Sequence, residues 1–185
     1  MPELICNLCN LLPKTTVFDG LSICMTCYTD ITKQFIEYAN KRVPKLSYCS
    51  QIDDHIFIGD EDSAHNLEDL KSKNIERIFI AGAYLRAHHE GKFLYKQIPI
   101  YDALEEDLLS FLDEALDFLN NGTGNVLVHC AAGVSRSGSI VVAYLMKKYN
   151  LSYDDALQKA RSKSARIKPN SSFERQLRQW GKTLN

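Results

Sequence analysis

The hydrophobic positions of this chain follow two patterns from residue 55 onward. Short, nearly continuous apolar runs have the length of buried strands, and between them lie segments with the spacing of a helix. The pattern predicts strands at 55–59, 75–81, 92–100 and 125–128, and helices at 63–74, 105–121 and 137–150. Strands that alternate with helices indicate an α/β fold, with a mostly parallel central sheet flanked by helices.

Two further helices are predicted near the end of the chain, each from a capping-box pattern at its start. Ser152 is followed by Asp155, and Ser171 is followed by Glu174. In this motif the first side chain and the acid three residues later satisfy N–H groups that the first helical turn leaves free. The helix at 137–150 is apolar nearly all round and should therefore be buried.

The first 43 residues differ from the rest of the chain in their cysteine content. Two Cys-x2-Cys pairs, separated by 14 residues, are formed by Cys6, Cys9, Cys24 and Cys27. This is the ligand spacing of a structural zinc site with four thiolates. Asp19-Gly20 between the pairs predicts a hairpin turn, and 29–42 predicts a helix. The arrangement resembles a treble-clef zinc finger; two disulfides in a secreted mini-domain are the alternative.

The segment around Pro44 shows little periodicity and predicts a boundary between two modules. We expect a four-cysteine zinc-finger-like module at 1–43 and a larger α/β domain at 44–185. The start of the sequence has neither the basic region nor the long apolar region of a signal peptide. We therefore expect a reducing, intracellular setting, in which disulfides are rare. The expected compartment is the cytoplasm, with the nucleus as the alternative.

Composition narrows the classes of partner. The 185 residues carry a formal net charge of -1, and 45% of them are hydrophobic. A near-neutral charge argues against a nucleic-acid partner. No apolar run has the length of a membrane span, so no membrane association is expected.

The segment 126–138, VLVHCAAGVSRSG, carries the candidate chemistry. It predicts a strand, a loop of small residues and the start of a buried helix, so backbone N–H groups can converge on one anion at the helix N-terminus. Cys130 lies at the base of this loop, and Arg136 offers a fork that matches two phosphate oxygens. A thiol that faces amide donors, a helix N-terminus and a cation loses its proton easily. The pattern therefore indicates a sulfur nucleophile held beneath a bound phosphate.

Residues 129–137 fit the His-Cys-x5-Arg-Ser/Thr signature and resemble the cysteine-dependent protein tyrosine phosphatases, in particular the dual-specificity branch. The resemblance runs from about residue 51 to residue 180. It includes FIGD at 57–60, IPIYD at 98–102 and KPNSSFERQL at 168–177. It implies the fold of that branch, and a phosphatase that works through a phosphocysteine intermediate without a catalytic metal.

The resemblance also implies a role for each residue of the site. Asp102, 28 residues before Cys130, takes the place of the family's general acid. Its neighbours Glu105, Glu106 and Asp107 fit better as first-turn acids of the helix at 105–121. Ser137 would donate a hydrogen bond to the departing thiolate, and His129 would brace the loop and favour the thiolate. The remaining expected residues are the phosphate-binding Ala131, Ala132, Gly133, Val134, Ser135 and Arg136, with Asn170 as support for the loop.

The apolar loop residues favour a phosphoprotein substrate, because branches that act on phosphoinositides tend to carry lysines there. The deep phosphotyrosine slot of other branches needs an N-terminal aromatic loop that this sequence does not show. Two alternatives stay open. The chain could be a zinc-finger scaffold or phosphoprotein-binding module with little activity, or a phosphatase of non-protein phosphomonoesters. A protein partner for the finger is expected in either case.

Overall fold

The computed structural model describes residues 15–18, 21–24 and 48–184. The chain divides into two compact units, Met1–Leu46 and Ser47–Asn185. In the first unit, strands β1 (Thr15–Phe18) and β2 (Leu21–Cys24) pair antiparallel, with Phe18 opposite Leu21.

Several predictions for the first unit lie outside the described residues. These are the turn residues Asp19 and Gly20, the helix at 29–42, and the thiol groups of Cys6, Cys9, Cys24 and Cys27. The backbone of Cys24 is described, and it ends β2 opposite Thr15.

The second unit alternates strands and helices. Its strands are β3 (Cys49–Gln51), β4 (Ile56–Gly59), β5 (Ile75–Ala81), β6 (Leu94–Ile98) and β7 (Asn125–His129). Its helices are α1 (Glu61–His65), α2 (Leu67–Ser72), α3 (Leu112–Asn120), α4 (Arg136–Tyr149), α5 (Tyr153–Lys163) and α6 (Ser171–Gly181), and a 3-10 turn at Leu109–Phe111 precedes α3. None of the helices in the described ranges is both long and apolar enough to cross a bilayer.

The five strands form one mixed sheet in the order β3-β4-β7-β5-β6. The pairings of β4 with β7, β7 with β5, and β5 with β6 are parallel. Only β3 runs antiparallel to its neighbour among these strands. The predicted α/β fold is confirmed in this form. Strand β3 was missed, because three half-exposed residues next to a predicted linker carry no strand pattern of their own.

Helices cover the sheet on both faces, because successive strand side chains point to opposite sides. On one face, Phe79 and Val128 pack with α3, α4, α5 and α6 in the larger apolar core. On the other face, Ile78 and Leu127 pack with Leu70 of α2. Helix α4 is buried from Ser137 to Met146, as its apolar composition predicts.

Three of the predicted helices can be compared with the caps that the structure shows. The helix expected at 63–74 is two short helices, because the Asn66 side chain accepts a hydrogen bond from the Asp69 N–H and starts α2. The last helix is capped by Asn170, which accepts from the Phe173 N–H, and not by Ser171 with Glu174. The Ser152 cap of α5 is confirmed, since its hydroxyl accepts from the Asp155 N–H.

The helix expected at 105–121 begins later, with the 3-10 turn at Leu109–Phe111. Two of its three predicted first-turn acids precede this turn, and one of them bonds within the loop while the other bonds to the first residue of the turn. Glu106 Oε2 accepts from the Tyr101 N–H, and Asp107 Oδ1 accepts from the Leu109 N–H. The predicted start of this helix was wrong, because these acidic side chains accept hydrogen bonds from backbone N–H groups that precede the helix.

Candidate active site

The candidate site lies at the carboxyl end of β7, between the two neighbouring strands β4 and β5. His129 ends β7, opposite Gly59 of β4 and Ile80 of β5. Residues 130–135, which we call the phosphate loop, connect this end to α4, which begins at Arg136. Clefts at the carboxyl ends of parallel strands are the usual ligand sites of open α/β sheets.

The phosphate loop approaches the backbone of β4 closely at Gly133. This residue has φ of +68°, a conformation that favours glycine. A Cβ atom at this position would lie 2.8 Å from the carbonyl oxygen of Gly59 and 3.0 Å from Cδ1 of Tyr48. Gly133 is therefore required both by its backbone angle and by the space around it.

Carbonyl groups of the phosphate loop are bonded outward to the surrounding chain. Ala131 O accepts from the Glu61 N–H at 3.2 Å, and Val134 O accepts from the Lys168 N–H at 3.0 Å. Because the C=O and N–H of one peptide unit point in opposite directions, the next N–H in each case faces the centre of the loop. Such converging N–H groups bind anions.

Cys130 is buried at the start of the phosphate loop. Its Sγ lies 3.1 Å from the hydroxyl oxygen of Ser137, in the first turn of α4. Ser137 is also buried, so this hydroxyl is a ready partner for a charge on the sulfur. The helix N-terminus adds positive potential at the same point.

Arg136 lies between the phosphate loop and the chain that follows β5. Its guanidinium packs against Gly82, where a Cβ would lie 2.8 Å from Nη1. Its Nε lies 3.8 Å from Asp102 Oδ2. A larger residue at Gly82 would displace the guanidinium, a constraint that no motif in the sequence indicated.

Asp102 lies on residues 101–107, which we call the acid loop. Its Oδ1 accepts two hydrogen bonds, from the Ser135 hydroxyl at 2.7 Å and from Asn170 Nδ2 at 2.9 Å. With Oδ1 occupied, Oδ2 is the oxygen that faces Arg136. The side chain is 39% exposed, so a substrate can reach it. Its rival Glu106 bonds to the backbone of Tyr101.

Asn170 connects three parts of the site. Its Oδ1 caps α6, its Nδ2 donates to Asp102, and its backbone N–H donates to the Ser135 hydroxyl at 3.2 Å. Asn170 therefore contacts both the acid and the end of the phosphate loop. Ser135 stands between them, bonded to both residues.

His129 is fully buried at the end of β7. Its Nδ1 lies 3.4 Å from the carbonyl oxygen of Cys130, so this nitrogen carries the hydrogen. Burial, with smaller effects of His88 and Arg136, lowers the pKa of His129 to about 4. The neutral ring braces the backbone beneath the loop and supplies no positive charge to the thiol.

Arg166 holds the phosphate loop from the other side, and no motif in the sequence pointed to it. Its Nη2 donates to the carbonyl oxygen of Ala132 at 3.1 Å. Its guanidinium lies 4.5 Å from the centre of the Tyr48 ring, and Nη1 lies 3.6 Å from Asp60 Oδ2. These partners are remote in sequence, so spacing alone could not bring them together.

Cys49, the other free cysteine of the second unit, does not reach Cys130. It lies on β3 opposite Gly59, which in turn lies opposite His129. Two strand spacings amount to about 10 Å, beyond the span of a disulfide. Burial raises the pKa of Cys49 to about 12, so its thiol is also poorly nucleophilic.

The structure thus brings together Cys130, Arg136, Asp102, Ser135, Ser137 and Asn170, around a loop completed by Ala131, Ala132, Gly133 and Val134. A nucleophile, an anion-binding loop, a cation and an exposed carboxylate occupy one cleft. This set suits transfer of a phosphoryl group to sulfur.

Comparison with known proteins agrees with this geometry. Residues 56–183 match the family model of the dual specificity phosphatase catalytic domain. Dual specificity protein phosphatase 1B of Arabidopsis thaliana is 38% identical over 138 residues, which cover 73% of this chain and 83% of the relative. Dual specificity protein phosphatase 1 of the same organism is 37% identical over 150 residues, which cover 80% of this chain and 73% of the relative.

Among solved structures, the crystal structure of human tyrosine phosphatase-like serine/threonine/tyrosine-interacting protein is similar to the second unit. Its TM-score is 0.69 at 28% sequence identity, and the match covers 73% of this chain and 96% of that chain. The matched family segment runs from β4 past the end of α6 and so contains the nucleophile, the phosphate loop, the acid loop and Asn170.

Proposed function

The chain belongs to the dual specificity phosphatase family, and from this membership we infer that it is a protein phosphatase acting on phosphotyrosine and on phosphoserine or phosphothreonine. The observation that supports the chemistry most directly is the position of the Cys130 sulfur. It lies at the base of an anion-binding loop, 3.1 Å from the Ser137 hydroxyl. Phosphoproteins are the substrate class.

In the first step, the Cys130 thiolate attacks phosphorus while the loop amides and Arg136 hold the equatorial oxygens. The S–P bond forms as the bond to the leaving oxygen breaks, and its electron pair goes to that oxygen. Asp102 then supplies the proton. Since Oδ1 is held by Ser135 and Asn170, Oδ2 is the oxygen suited to deliver it.

In the second step, water attacks the phosphocysteine and the S–P bond breaks. The Asp102 carboxylate takes a proton from this water, and phosphate leaves. The electron pair returns to the Cys130 sulfur, whose charge is stabilised by the Ser137 hydroxyl. The cycle ends with the thiolate and the protonated acid restored, and none of its steps calls for a metal.

A panel of phosphopeptides tests this function. We expect the purified protein to release phosphate from phosphotyrosine, phosphoserine or doubly phosphorylated threonine-tyrosine peptides. Cys130→Ser should abolish release but still bind vanadate, because the loop amides and Arg136 remain. Cys49→Ser is the matched control and should keep full activity. Binding of the peptides by the wild-type protein without any release would favour the scaffold alternative.

We further propose that the first unit holds one structural zinc through Cys6, Cys9, Cys24 and Cys27. The support is the spacing of the two Cys-x2-Cys pairs, together with the paired strands β1 and β2 between them. Four thiolates fill the coordination of zinc, so the ion would stabilise the fold and leave catalysis to the second unit. A module of about 40 residues has little core of its own and needs such a staple.

Elemental analysis tests the zinc proposal. We expect one zinc per chain, lost when Cys6 and Cys9 are replaced by Ser. Removal of residues 1–43 should leave hydrolysis of a small aryl phosphate within a few-fold of the full-length rate. A metal-free protein with these four cysteines in disulfides would contradict the proposal.

We also propose that the finger binds a protein partner, with no role for a membrane or nucleic acid, in an intracellular, cytoplasmic setting. The near-neutral charge supports the exclusion of nucleic acid, and the need to keep the Cys130 thiol reduced supports an intracellular setting. Localisation of a fluorescent fusion, with and without residues 1–43, tests them.

A further inference from the structure

Two tyrosine rings form an exposed pair beside the active site. Tyr84 is 84% exposed and Tyr101 is 46% exposed. Their ring centroids are 5.7 Å apart and the rings meet edge to face at 75°. The neighbouring Tyr84 side chain also raises the pKa of Tyr101. The pair is therefore formed before any ligand binds.

Both rings belong to segments that touch Arg136. Tyr101 directly precedes Asp102, whose Oδ2 lies 3.8 Å from Arg136 Nε. Tyr84 follows two residues after Gly82, which packs against Arg136 Nη1. At about 3.8 Å per residue, the Cα atom of Tyr84 lies within about 8 Å of the Cα atom of Gly82. The pair therefore borders the mouth of the phosphate site.

Both segments are anchored by hydrogen bonds. Gln97 Nε2 of β6 donates to the carbonyl oxygens of Gly82 and Leu85, each at 2.8 Å, which brackets Tyr84. The Tyr101 N–H donates to Glu106 Oε2 at 2.8 Å. Aromatic side chains on fixed backbone lose little entropy when they bind a partner.

Exposed apolar surface is concentrated at this place. Within residues 48–184, five large hydrophobic side chains are exposed, and Tyr84, Tyr101 and Leu104 are three of them. The other two lie elsewhere: Leu94 begins β6, away from the carboxyl ends of the strands, and Tyr149 ends α4. Clustered exposed apolar groups next to a ligand site point to a binding role.

We propose that Tyr84 and Tyr101 form an aromatic rim that binds the ring of phosphotyrosine and makes phosphotyrosine peptides the preferred substrates of this enzyme. The proposal rests on the protein phosphatase function and narrows its substrate class. In phosphotyrosine a ring lies between the phosphate and the peptide backbone. When the phosphate enters the loop, this ring passes the rim at the distance where aromatic rings attract one another.

Phosphoserine and phosphothreonine gain nothing from the rim. Their phosphate lies close to the peptide backbone, so the backbone itself has to approach the pocket past two tyrosine rings. They have no ring to pack there. Tyr84 and Tyr101 thus supply the aromatic contact that an N-terminal loop supplies in other branches.

The test compares two peptides of one sequence, phosphorylated on tyrosine or on threonine. For Tyr84→Ala we expect kcat/KM on the phosphotyrosine peptide to fall about 3- to 10-fold, with little change on the phosphothreonine peptide. The loss should be in KM, because the contact is made equally in the ground state and the transition state. Tyr84→Phe keeps the ring and should keep the preference.

Leu94→Ala removes another exposed apolar side chain, 62% exposed at the start of β6, and should leave both peptides unaffected. An equal loss on both peptides with Tyr84→Ala, or none on either, would overturn the rim while the phosphatase function stands. A wild-type protein that hydrolyses neither peptide would overturn the function and the rim with it.

Discussion

The phosphate loop and the acid loop meet at Arg136 but are fixed by different kinds of bonds. The phosphate loop is held largely by backbone contacts, such as the Ala131 and Val134 carbonyls and the close packing of Gly133. The acid loop is more exposed and is held through side chains, with Asp102 bonded to Ser135 and Asn170. Anion binding should therefore survive most side-chain changes, whereas delivery of the proton should not.

Loss of the acid itself should have the largest effect. Asp102→Asn keeps a similar shape but has no proton to give, so turnover of phosphopeptides should fall by roughly 10²–10⁴. Activated aryl phosphates should suffer less, since their leaving groups need little protonation. Steady-state kinetics on both substrates measure the difference, with Glu105→Gln as control. If Glu105→Gln showed a loss of this size and Asp102→Asn were unaffected, the general acid would be Glu105.

A methyl group at Gly133 should disrupt the phosphate loop. Gly133→Ala should lower vanadate affinity and kcat/KM by about 10- to 100-fold, since small displacements of catalytic groups have effects of this size. Gly91 provides the matched control, because its φ is also positive, at +77°, and nothing lies within 4 Å of a Cβ there. Gly91→Ala should lose some stability but keep activity. Similar activity losses in both would show that the loss comes from the strain of a Cβ at positive φ, and not from the packing of Gly133 on Gly59.

Loss of one bond to Asp102 should have a smaller effect, on the acid loop alone. Asn170→Ser keeps a good N-cap for α6 but removes the donor to Asp102. We expect kcat on phosphopeptides to fall by about 10-fold while vanadate binding is unchanged, as a misplaced acid requires. Ser135→Ala should behave alike, because Ser135 makes no side-chain cap to α4. Weaker vanadate binding in Asn170→Ser would mean that the two loops are held together and not separately.

The smallest effect concerns the pH dependence of the free energy of unfolding, through the buried His129. Because burial holds the pKa of His129 near 4, against an ordinary value of 6.5, the folded protein binds fewer protons than the unfolded chain between these values. The contribution of the neutral His129 to stability should therefore be complete above about pH 6.5 and should fall as the pH drops toward 4, by about 2–3 kcal/mol.

Urea unfolding at pH 7.5 and pH 4.5 tests this dependence. The free energy of unfolding should fall by about 2–3 kcal/mol more in the wild-type protein than in His129→Gln, which has no imidazole to protonate. Carboxylates that titrate in the same range are present in both proteins, and their effect cancels in the difference. Equal pH dependence in the two would show that His129 is not held neutral by burial.

Much of the second unit was predictable because local pattern and tertiary structure agree there. The strand before Cys130 and the buried helix after Arg136 follow directly from their apolar residues. The signature residues between them come together through a single short loop. Asp102 could be placed only through the family resemblance, because its partners Ser135 and Asn170 are distant in sequence.

The predictions failed where contacts between residues distant in sequence determine the local structure. Asn170, and not Ser171, caps α6, although both residue types are good caps and only the fold chooses between them. Glu106 and Asp107 accept hydrogen bonds from backbone N–H groups ahead of α3 and do not lie in its first turn. The contacts of Arg166 and the pairing of Tyr84 with Tyr101 join segments that no spacing rule connects.

The most direct measurement of the covalent chemistry is the mass of the enzyme quenched in acid during turnover of an activated aryl phosphate. Asp102→Asn is the variant of choice, because it should form the phosphocysteine and then hydrolyse it slowly. We expect one phosphoryl group on the peptide that contains Cys130, and none when Cys130→Ser is combined with it. Turnover without any phosphorylated Cys130 peptide, or a phosphoryl group on another residue, would contradict attack by this sulfur.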